Sequence, residues 1–241
     1  RFGLTGEKGN EEEGRYTVEF TTVQKNIEEV MDIIKEQKNM IFYLQTEKDE
    51  LPENIIKERI TGISIYHKEK QEAYYIKLNE NEIVKFKDIF EDTEIKKTGI
   101  NLTKVYILLK QVGITLEGIE NDISVGAYIL NPTNNKLDLK NLAMQYLELD
   151  IEEYIGEEDN QKQMTLFEEN DTQKDKKDLE KYTLYAYVIE KINIMILQKL
   201  KETNSFDLYT NIDMPTVEVL SSMQWNGIYV DERELSAFGE E

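Results

Sequence analysis

The sequence contains no cysteine and a single histidine, His67, among its 241 residues. Without cysteine the chain has no disulfide scaffold, no thiolate zinc site and no cysteine nucleophile, a composition that suits a reducing cytosol. One imidazole cannot fill two positions, so sites that need several histidines are excluded as well. No apolar run approaches the roughly 20 residues that cross a bilayer, and no signal-like segment begins the chain. These absences predict a cytoplasmic protein with no membrane partner.

Arginine is scarce as well. Four of the 29 basic residues are arginines, and the 49 acidic residues give the chain a net charge of −20. Such a surface repels duplex DNA and anionic membranes unless its bases cluster, and few guanidinium groups are available for bidentate phosphate contacts. Tight binding of nucleic acid is therefore expected to require residues outside this chain.

The residues that are present predict an ordered domain behind a short linker. Hydrophobic residues make up 39% of the chain, enough for a sizeable core. Residues 1–14, rich in glycine and glutamate, predict a flexible linker. The alternation over Tyr16–Phe20 predicts a strand, and Thr22 is predicted to cap a helix whose apolar residues continue to Ile34. The apolar run Met40–Leu44 predicts a central strand that is buried on both faces.

A hairpin and a series of helices follow. The hairpin is predicted at Ile60–Tyr66 and Ala73–Leu78. Helical spacing then recurs, with Asn101 as a predicted cap and Pro132 as a predicted stop. The predicted helices are Glu82–Phe90, Leu102–Val112, Ile123–Leu130, Leu137–Leu147 and Asp178–Lys201. One sheet surrounded by helices indicates an α/β or α+β domain.

Two stretches resemble a known family. Asp122-Ile123, followed by AYILNP at 127–132 and LDLKNLA at 137–143, is similar to the family's FDT…AAYLLNP…YDLEELA stretch. Met214–Asp231 is similar to the signature MPLVEVLAxMExNGVxVD, which opens a polymerase domain. From about residue 16 to its end, the chain thus resembles the 3′–5′ exonuclease-like domain and the start of the polymerase domain of bacterial DNA polymerase I (family A, the Klenow portion).

The resemblance implies an α/β, RNase H-like (DnaQ-like exonuclease) fold with a central mixed sheet flanked by helices. It also implies the domain boundaries, with an exonuclease-like domain at 15–205 and the beginning of the polymerase domain at 206–241. Further expectations are a role in DNA replication and repair, DNA binding through the parent polymerase, Mg²⁺ for the parent's polymerase domain, and packing of this domain on its polymerase neighbour.

An active proofreading site in this family uses four acids to hold two divalent metal ions, which activate a water and stabilise the leaving oxygen. The matching positions in this sequence are Gln45, Glu47, Val105 and Ala186. A shifted register would place Tyr43 and Gln45 at the first pair, or Tyr185 at the last position, and restores no carboxylate. A lone carboxylate cannot hold two hard cations. The resemblance therefore predicts no catalytic residue, no metal and no other cofactor in this chain, with Val105 and Ala186 as core residues and Glu47 as a surface acid.

Residues 152–178 are strongly acidic and predict a solvated loop that one apolar island interrupts. Within the island, Gln163, Met164, Leu166 and Phe167 resemble the Q-L-S/D-L-F pentapeptide by which bacterial replication proteins bind the sliding clamp. The apolar side chains would fill a groove of the clamp while the glutamine amide forms hydrogen bonds at its edge. The alternative is that Leu166 and Phe167 fold back onto the domain's own core.

Two other functions remain open at this point. Acids near the degenerate positions, such as Asp49 or Asp122, would serve as substitute ligands in an active two-metal exonuclease. The chain would instead be an interaction module if clamp docking were its main task.

Overall fold

The computed structural model describes residues 16–47, 58–79, 81–162, 171–229 and 231–239. Among these residues, six strands form one mixed sheet that helices flank, which confirms the predicted α/β class. The strands are β1 (Thr21–Thr22), β2 (Asn39–Thr46), β3 (Ile60–His67), β4 (Glu72–Lys77), β5 (Lys96–Gly99) and β6 (Ile119–Asp122). The helices are α1 (Ile27–Gln37), α2 (Lys87–Phe90, after a 3-10 turn at Glu82–Phe86), α3 (Leu102–Gln111), α4 (Ile123–Leu130), α5 (Leu139–Leu147), α6 (Ile151–Lys162), α7 (Asp171–Glu202), α8 (Phe206–Leu208, before a π-helical turn at Tyr209–Asp213), α9 (Met214–Asn226) and α10 (Glu232–Gly239).

The strand order β1-β4-β3-β2-β5-β6 places β2 inside the sheet. β2 pairs antiparallel with β3 and parallel with β5, and β3 continues into an antiparallel hairpin with β4. Met40–Leu44 in β2 are buried, as expected for a strand covered on both faces. The central strand and the hairpin predicted from the sequence are therefore confirmed.

The N-terminal segment differs from its prediction. Residues 16–20 form no strand, and only Thr21–Thr22 pair with the sheet, parallel to β4. The Glu19 amide donates a hydrogen bond to the Tyr187 hydroxyl of α7 at 3.3 Å, and the Phe20 ring stacks on Tyr187 with centroids 4.8 Å apart. The alternation at 16–20 therefore reflects packing on α7 rather than strand pairing.

The first helix begins later than the sequence pattern suggests. Asn26 caps α1 in a capping box with Glu29, so the predicted Thr22 cap is wrong. The Thr22 hydroxyl instead lies 3.1 Å from the hydroxyl of Thr183 on α7. An asparagine followed three residues later by glutamate competes well with threonine for the cap position.

Strands β5 and β6 were not predicted, because their sequences KKTG and IEND are short and polar. Lys97 is nevertheless fully buried in β5, where its ammonium donates a hydrogen bond to the carbonyl of Asp92. This burial lowers the pKa of Lys97 to about 8. Parallel pairing with β2 and β6 holds these residues in the sheet despite their weak strand propensity.

The predicted acidic loop at 152–178 is wrong for its described parts. α6 covers 151–162, and α7 begins at Asp171, well before the predicted start. The Asp150 carboxylate accepts hydrogen bonds from the amides of Glu152 and Glu153, each at 3.0 Å, and so caps α6. Acidic residues in a first turn also interact favourably with the helix dipole, which a composition-based loop prediction overlooks.

The C-terminal helix α9 packs back on the domain. α9 contacts α3 and β6, with Met214, Val217 and Ser221 buried. No helix within the described ranges is both long and apolar enough to cross a membrane.

Candidate functional site: the degenerate metal positions

Three of the four degenerate positions lie on β2 (Gln45), α3 (Val105) and α7 (Ala186), and the fourth, Glu47, directly follows the end of β2. Residues of β2 lie close to both helices. Phe42, Tyr43 and Leu44 line a narrow void of ≈10 Å³ with Val105 of α3, and the Tyr43 ring contacts Tyr185 of α7. The fold thus brings Val105 and Tyr185 near the same strand.

Gln45 is held by a tyrosine on a strand that is not its neighbour. Its side-chain Oε1 accepts a hydrogen bond from the hydroxyl of Tyr75 on β4, across the intervening strand β3. The residue between them is Gly62, which pairs with Gln45. A Cβ on Gly62 would lie 2.6 Å from the Gln45 oxygen and 2.7 Å from the Tyr75 hydroxyl. Only a glycine leaves room for this contact.

The Tyr75 hydroxyl remains a proton donor at any ordinary pH. Burial raises the pKa of Tyr75, and the nearby carboxylates of Asp178 and Asp175 raise it further. The Gln45 amide oxygen therefore accepts a hydrogen bond from a neutral phenol. This oxygen belongs to the residue that the resemblance assigns to the first acid position, and it is already hydrogen-bonded to a protein donor.

Glu47 is separated from this arrangement. Its side chain is 52% exposed and lies 3.9 Å from Arg59, measured between Oε1 and Nε. It lines a different cavity, of ≈370 Å³, together with Leu108 and Val112 near the end of α3. The pairing of β2 with β3 shifts its register between Gln45 and Thr46, just before Glu47.

Val105 and Ala186 are core residues. Val105 is 3% exposed and Ala186 is 0% exposed, so neither offers a lone pair or contact with water. The void of ≈10 Å³ beside Val105 has room for about one water molecule. The arrangement of both residues agrees with their interpretation as packing residues.

Aromatic rings occupy the space around Gln45 and Ala186. We call Tyr43, Tyr75, Tyr182 and Tyr185 the tyrosine cluster. Tyr43 meets Tyr185 edge to face with centroids 5.0 Å apart, and Tyr75 stacks on Tyr182 at 5.2 Å. Lys181 lies over the Tyr182 ring at 5.4 Å. Each aromatic pair of this kind contributes about 0.5–1.5 kcal/mol to stability in addition to the contribution from burying its apolar area.

The residues at these positions do not fit a pair of Mg²⁺ ions. Hard cations need several converging oxygen ligands, chiefly carboxylates. The four positions supply one carboxylate, which is exposed, and one amide oxygen, which accepts a hydrogen bond from Tyr75. No group of three or more histidine, aspartate or glutamate side chains within the described ranges is placed to hold a metal ion.

Asp122 is not placed as a substitute ligand. Its carboxylate is buried and accepts hydrogen bonds from the amides of Asn101 and Leu102, at 3.2 and 2.6 Å, and from the amide and hydroxyl of Ser124, at 2.9 and 2.6 Å. Burial raises the pKa of Asp122, and these hydrogen bonds oppose that change. Asp122 thereby caps both α3 and α4, while Asn101 makes no side-chain cap. Asp49 lies outside the described residues.

A cavity of ≈280 Å³ beside Tyr43 and Tyr185 was not anticipated from the sequence. It lies where α3 and α5 begin, and Lys104 and Lys140 are part of its wall. Each lysine lies one or two residues after the first residue of a helix, a position that can be predicted from the sequence. The sequence does not show that the first turns of the two helices lie close together.

The clamp-like residues Gln163, Met164, Leu166 and Phe167 lie outside the described residues.

Comparisons with known proteins agree with the fold. Residues 42–155 match the family model described as "DNA polymerase I, ribonuclease H-like domain". Over 199 residues the chain is 27% identical to DNA polymerase I of Bacillus subtilis, covering 80% of this chain and 21% of that protein. Over 226 residues it is 28% identical to DNA polymerase I of Borreliella burgdorferi, covering 89% of this chain and 23% of that one. The chain thus spans less than a quarter of the length of these relatives.

Solved structures show the same architecture. The polymerase domain of Pol1 from M. smegmatis, in complex with DNA primer-template and dNTP, superposes with a TM-score of 0.68 at 17% identity, over 91% of this chain and 35% of that one. Brucella melitensis NrnC superposes with a TM-score of 0.56 at 13% identity, over 88% of this chain and 96% of that one. The predicted RNase H-like fold is therefore confirmed.

Proposed function

Because residues 42–155 of this chain belong to the ribonuclease H-like domain family of bacterial DNA polymerase I, we propose that they form a catalytically inactive 3′–5′ exonuclease-like domain with a structural role. The parent protein is a DNA-directed DNA polymerase that acts in DNA replication and repair in the bacterial cytoplasm. It binds DNA and Mg²⁺ through its polymerase domain, and the present chain contributes neither polymerase nor exonuclease activity.

One observation carries the proposal. The positions that hold four acids in an active member of the family are a hydrogen-bonded amide, one exposed glutamate and two buried aliphatic side chains. Val105 and Ala186 supply no ligand, and the rings of Tyr43, Tyr182 and Tyr185 pack on one another between β2 and α7. Two-metal hydrolysis requires both ions to be held close together on shared oxygens.

The structural role rests on the exposed face of α9. This helix buries Met214, Val217 and Ser221 against α3, while its other side presents large apolar side chains to solvent. The exposed large apolar residues of α9 and the turn before it are Ile212, Val219, Leu220, Met223 and Trp225, of which Val219, Leu220 and Met223 share the face opposite the buried residues. A contiguous apolar face of this kind is typical of an interface. We propose that it packs on the polymerase domain, whose beginning corresponds to 206–241.

We expect the 241-residue chain to leave a 5′-labelled single-stranded oligonucleotide intact in Mg²⁺ or Mn²⁺. The physical reason is that Gln45, Val105 and Ala186 provide no carboxylate to bind the two metal ions that hydrolysis requires. Product length on a denaturing gel, compared with an EDTA control, is the measurement. Shortening from the 3′ end that EDTA abolishes would instead establish an active exonuclease with substitute ligands. In that event Glu47→Gln would show whether the remaining carboxylate takes part.

We further propose that residues 163–167 bind the bacterial sliding clamp. The supporting observation is the match of Gln163, Met164, Leu166 and Phe167 to the clamp-binding pentapeptide within a strongly acidic stretch of the sequence. Three apolar anchors, each contributing roughly 1.5–3 kcal/mol before the cost of ordering, are compatible with micromolar affinity.

A labelled peptide spanning 160–170 should therefore bind purified clamp with micromolar affinity in a fluorescence anisotropy titration. The same peptide with Leu166→Ala and Phe167→Ala is the matched control and should bind at least tenfold more weakly. Absence of binding by the unchanged peptide at high micromolar clamp concentration would rule out this partner.

A further inference from the structure

Helix α9 ends at an asparagine that a glycine follows directly. Asn226 is the last residue of the helix, and Gly227 is its C-terminal cap. This is the one Asn-Gly pair in the sequence. The side-chain amide of an asparagine is open to attack by the backbone nitrogen of the next residue, and a glycine, which has no side chain, hinders this attack least. The pair therefore supplies both groups that the reaction needs.

The surroundings of the pair leave room for a ring to close. Asn226 and Gly227 are both exposed to solvent. A Cβ on Gly227 would have no atom within 4 Å in the described part of the chain, apart from the neighbouring residues. The next residue, Ile228, is 90% exposed. Water and hydroxide therefore reach this peptide bond directly from the solvent.

One hydrogen bond restrains the attacking nitrogen. The Gly227 amide donates to the carbonyl of Met223 at 3.0 Å and so completes the last turn of α9. Gly227 has a φ of 67°, a left-handed cap conformation that glycine adopts without strain. The nitrogen keeps its proton and its place in the helix while this bond is formed. The last turn of α9 must therefore open before the nitrogen can attack.

Little holds the last turn of α9 closed. Helix ends open at low cost where few buried side chains anchor them. The buried residues of α9 are Met214, Val217 and Ser221, so no residue after Ser221 anchors the helix in the core. Met223 is 63% exposed and Trp225 is 42% exposed. Opening of the turn is therefore expected to be frequent in the folded protein.

We propose that Asn226 is a site of spontaneous deamidation through a cyclic imide formed with Gly227. When the turn is open, hydroxide removes the proton of the Gly227 amide, and the nitrogen forms a bond to Cγ of Asn226. The bond from Cγ to Nδ2 breaks, and the side-chain nitrogen leaves as ammonia. Water then adds to either carbonyl of the imide, and the ring opens to aspartate or to isoaspartate.

Both products change the connection between α9 and α10. Each adds a negative charge at the carboxyl-terminal end of α9, where the helix dipole is also negative, and so weakens the last turn. Isoaspartate in addition places its Cβ in the main chain, which lengthens the backbone before the cap. Because ammonia is lost, the modified fraction grows with the time for which the turn is accessible. The inference concerns the chemistry of this segment and stands independently of the proposed function.

The test is a time course of the full chain at physiological temperature and mildly alkaline pH. Peptides from a digest are separated by chromatography that resolves aspartate from isoaspartate and are identified by mass spectrometry. We expect deamidation of Asn226 to be at least about tenfold faster than that of Asn204. Asn204 is also exposed, but the amide of Ser205 donates at 2.8 Å to the carbonyl of the buried Leu200.

A pair of variants at Gln224 tests the requirement for opening. Gln224 is exposed in the last turn of α9, so its replacement leaves the core unchanged. Gln224→Gly lowers helix propensity and should speed deamidation of Asn226 about fourfold. Gln224→Ala, the matched control, should not speed it. Asn226→Gln should abolish the reaction at this position, because its longer side chain closes a less favourable ring.

Circular dichroism first shows that the variants are folded. Equal rates at Asn226 and Asn204 would overturn the inference. Persistence of Asn226 over a period in which the same chain in guanidinium chloride is deamidated would also overturn it. Equal rates in Gln224→Gly and Gln224→Ala would show that the reaction does not depend on opening of the turn. Aspartate without isoaspartate would contradict the imide route.

Discussion

Replacing Ala186 with aspartate should lower the free energy of unfolding by about 4 kcal/mol, or prevent folding, although it restores the residue type of an active site. Ala186 lies fully buried on α7, one residue from Tyr185 in the tyrosine cluster. A carboxylate at this position would be removed from water in the core, where an unpaired charge is costly. Urea denaturation followed by circular dichroism measures the loss.

The matched control is Ile194→Asp on the same helix. Ile194 is 51% exposed, so the same introduced charge remains in water and should change the free energy of unfolding by less than about 1 kcal/mol. If Ala186→Asp were as stable as Ile194→Asp, the position would still accommodate an acid. Stabilisation of Ala186→Asp by millimolar Mg²⁺ would likewise indicate that a metal site persists there.

Replacing Asp122 with alanine should lower the free energy of unfolding by about 3 kcal/mol. The carboxylate accepts hydrogen bonds from the first amides of α3 and from Ser124 at the start of α4. The amide of Asp122 itself donates to the buried hydroxyl of Tyr209 at 3.0 Å. Removing the carboxylate leaves buried donors on two helices without a partner, and such donors cost far more than a lost surface contact.

Asp138→Ala provides the comparison for Asp122→Ala. Asp138 also caps a helix, but its hydrogen bond to the Asn141 amide is exposed to solvent, so water can replace it. We expect a loss of about 1 kcal/mol, the ordinary contribution of an N-cap. Equal losses for the two variants in thermal unfolding would show that the buried carboxylate does not join the helices as described.

The sequence predicted the parts of the fold in which local pattern and burial agree. Met40–Leu44 is apolar throughout and lies in the middle of the sheet, and the hairpin follows from two alternating segments. β5 could not be predicted in this way, because Lys97 is buried only through its position between two neighbouring strands. The acidic stretch was misjudged because the Asp150 cap and the helix dipole outweigh composition.

The degenerate site was predictable in part. The resemblance predicts which residue stands at each acid position, and two of the residues that it names, Val105 and Ala186, lie in the core. The contact of Gln45 with Tyr75 could not be foreseen, because it crosses a third strand and depends on Gly62 having no side chain. The cavity at Lys104 and Lys140 was missed for a similar reason, since residues far apart in the chain meet only after folding.

The central claim is that this RNase H-like domain has lost its metal site while keeping its fold. Anomalous diffraction from crystals grown in millimolar Mn²⁺ tests it most directly, because each bound ion gives a peak at its own position. We predict no pair of peaks among Gln45, Glu47, Val105 and Ala186. Two Mn²⁺ peaks about 4 Å apart, with the Glu47 carboxylate bound to either ion, would contradict the account.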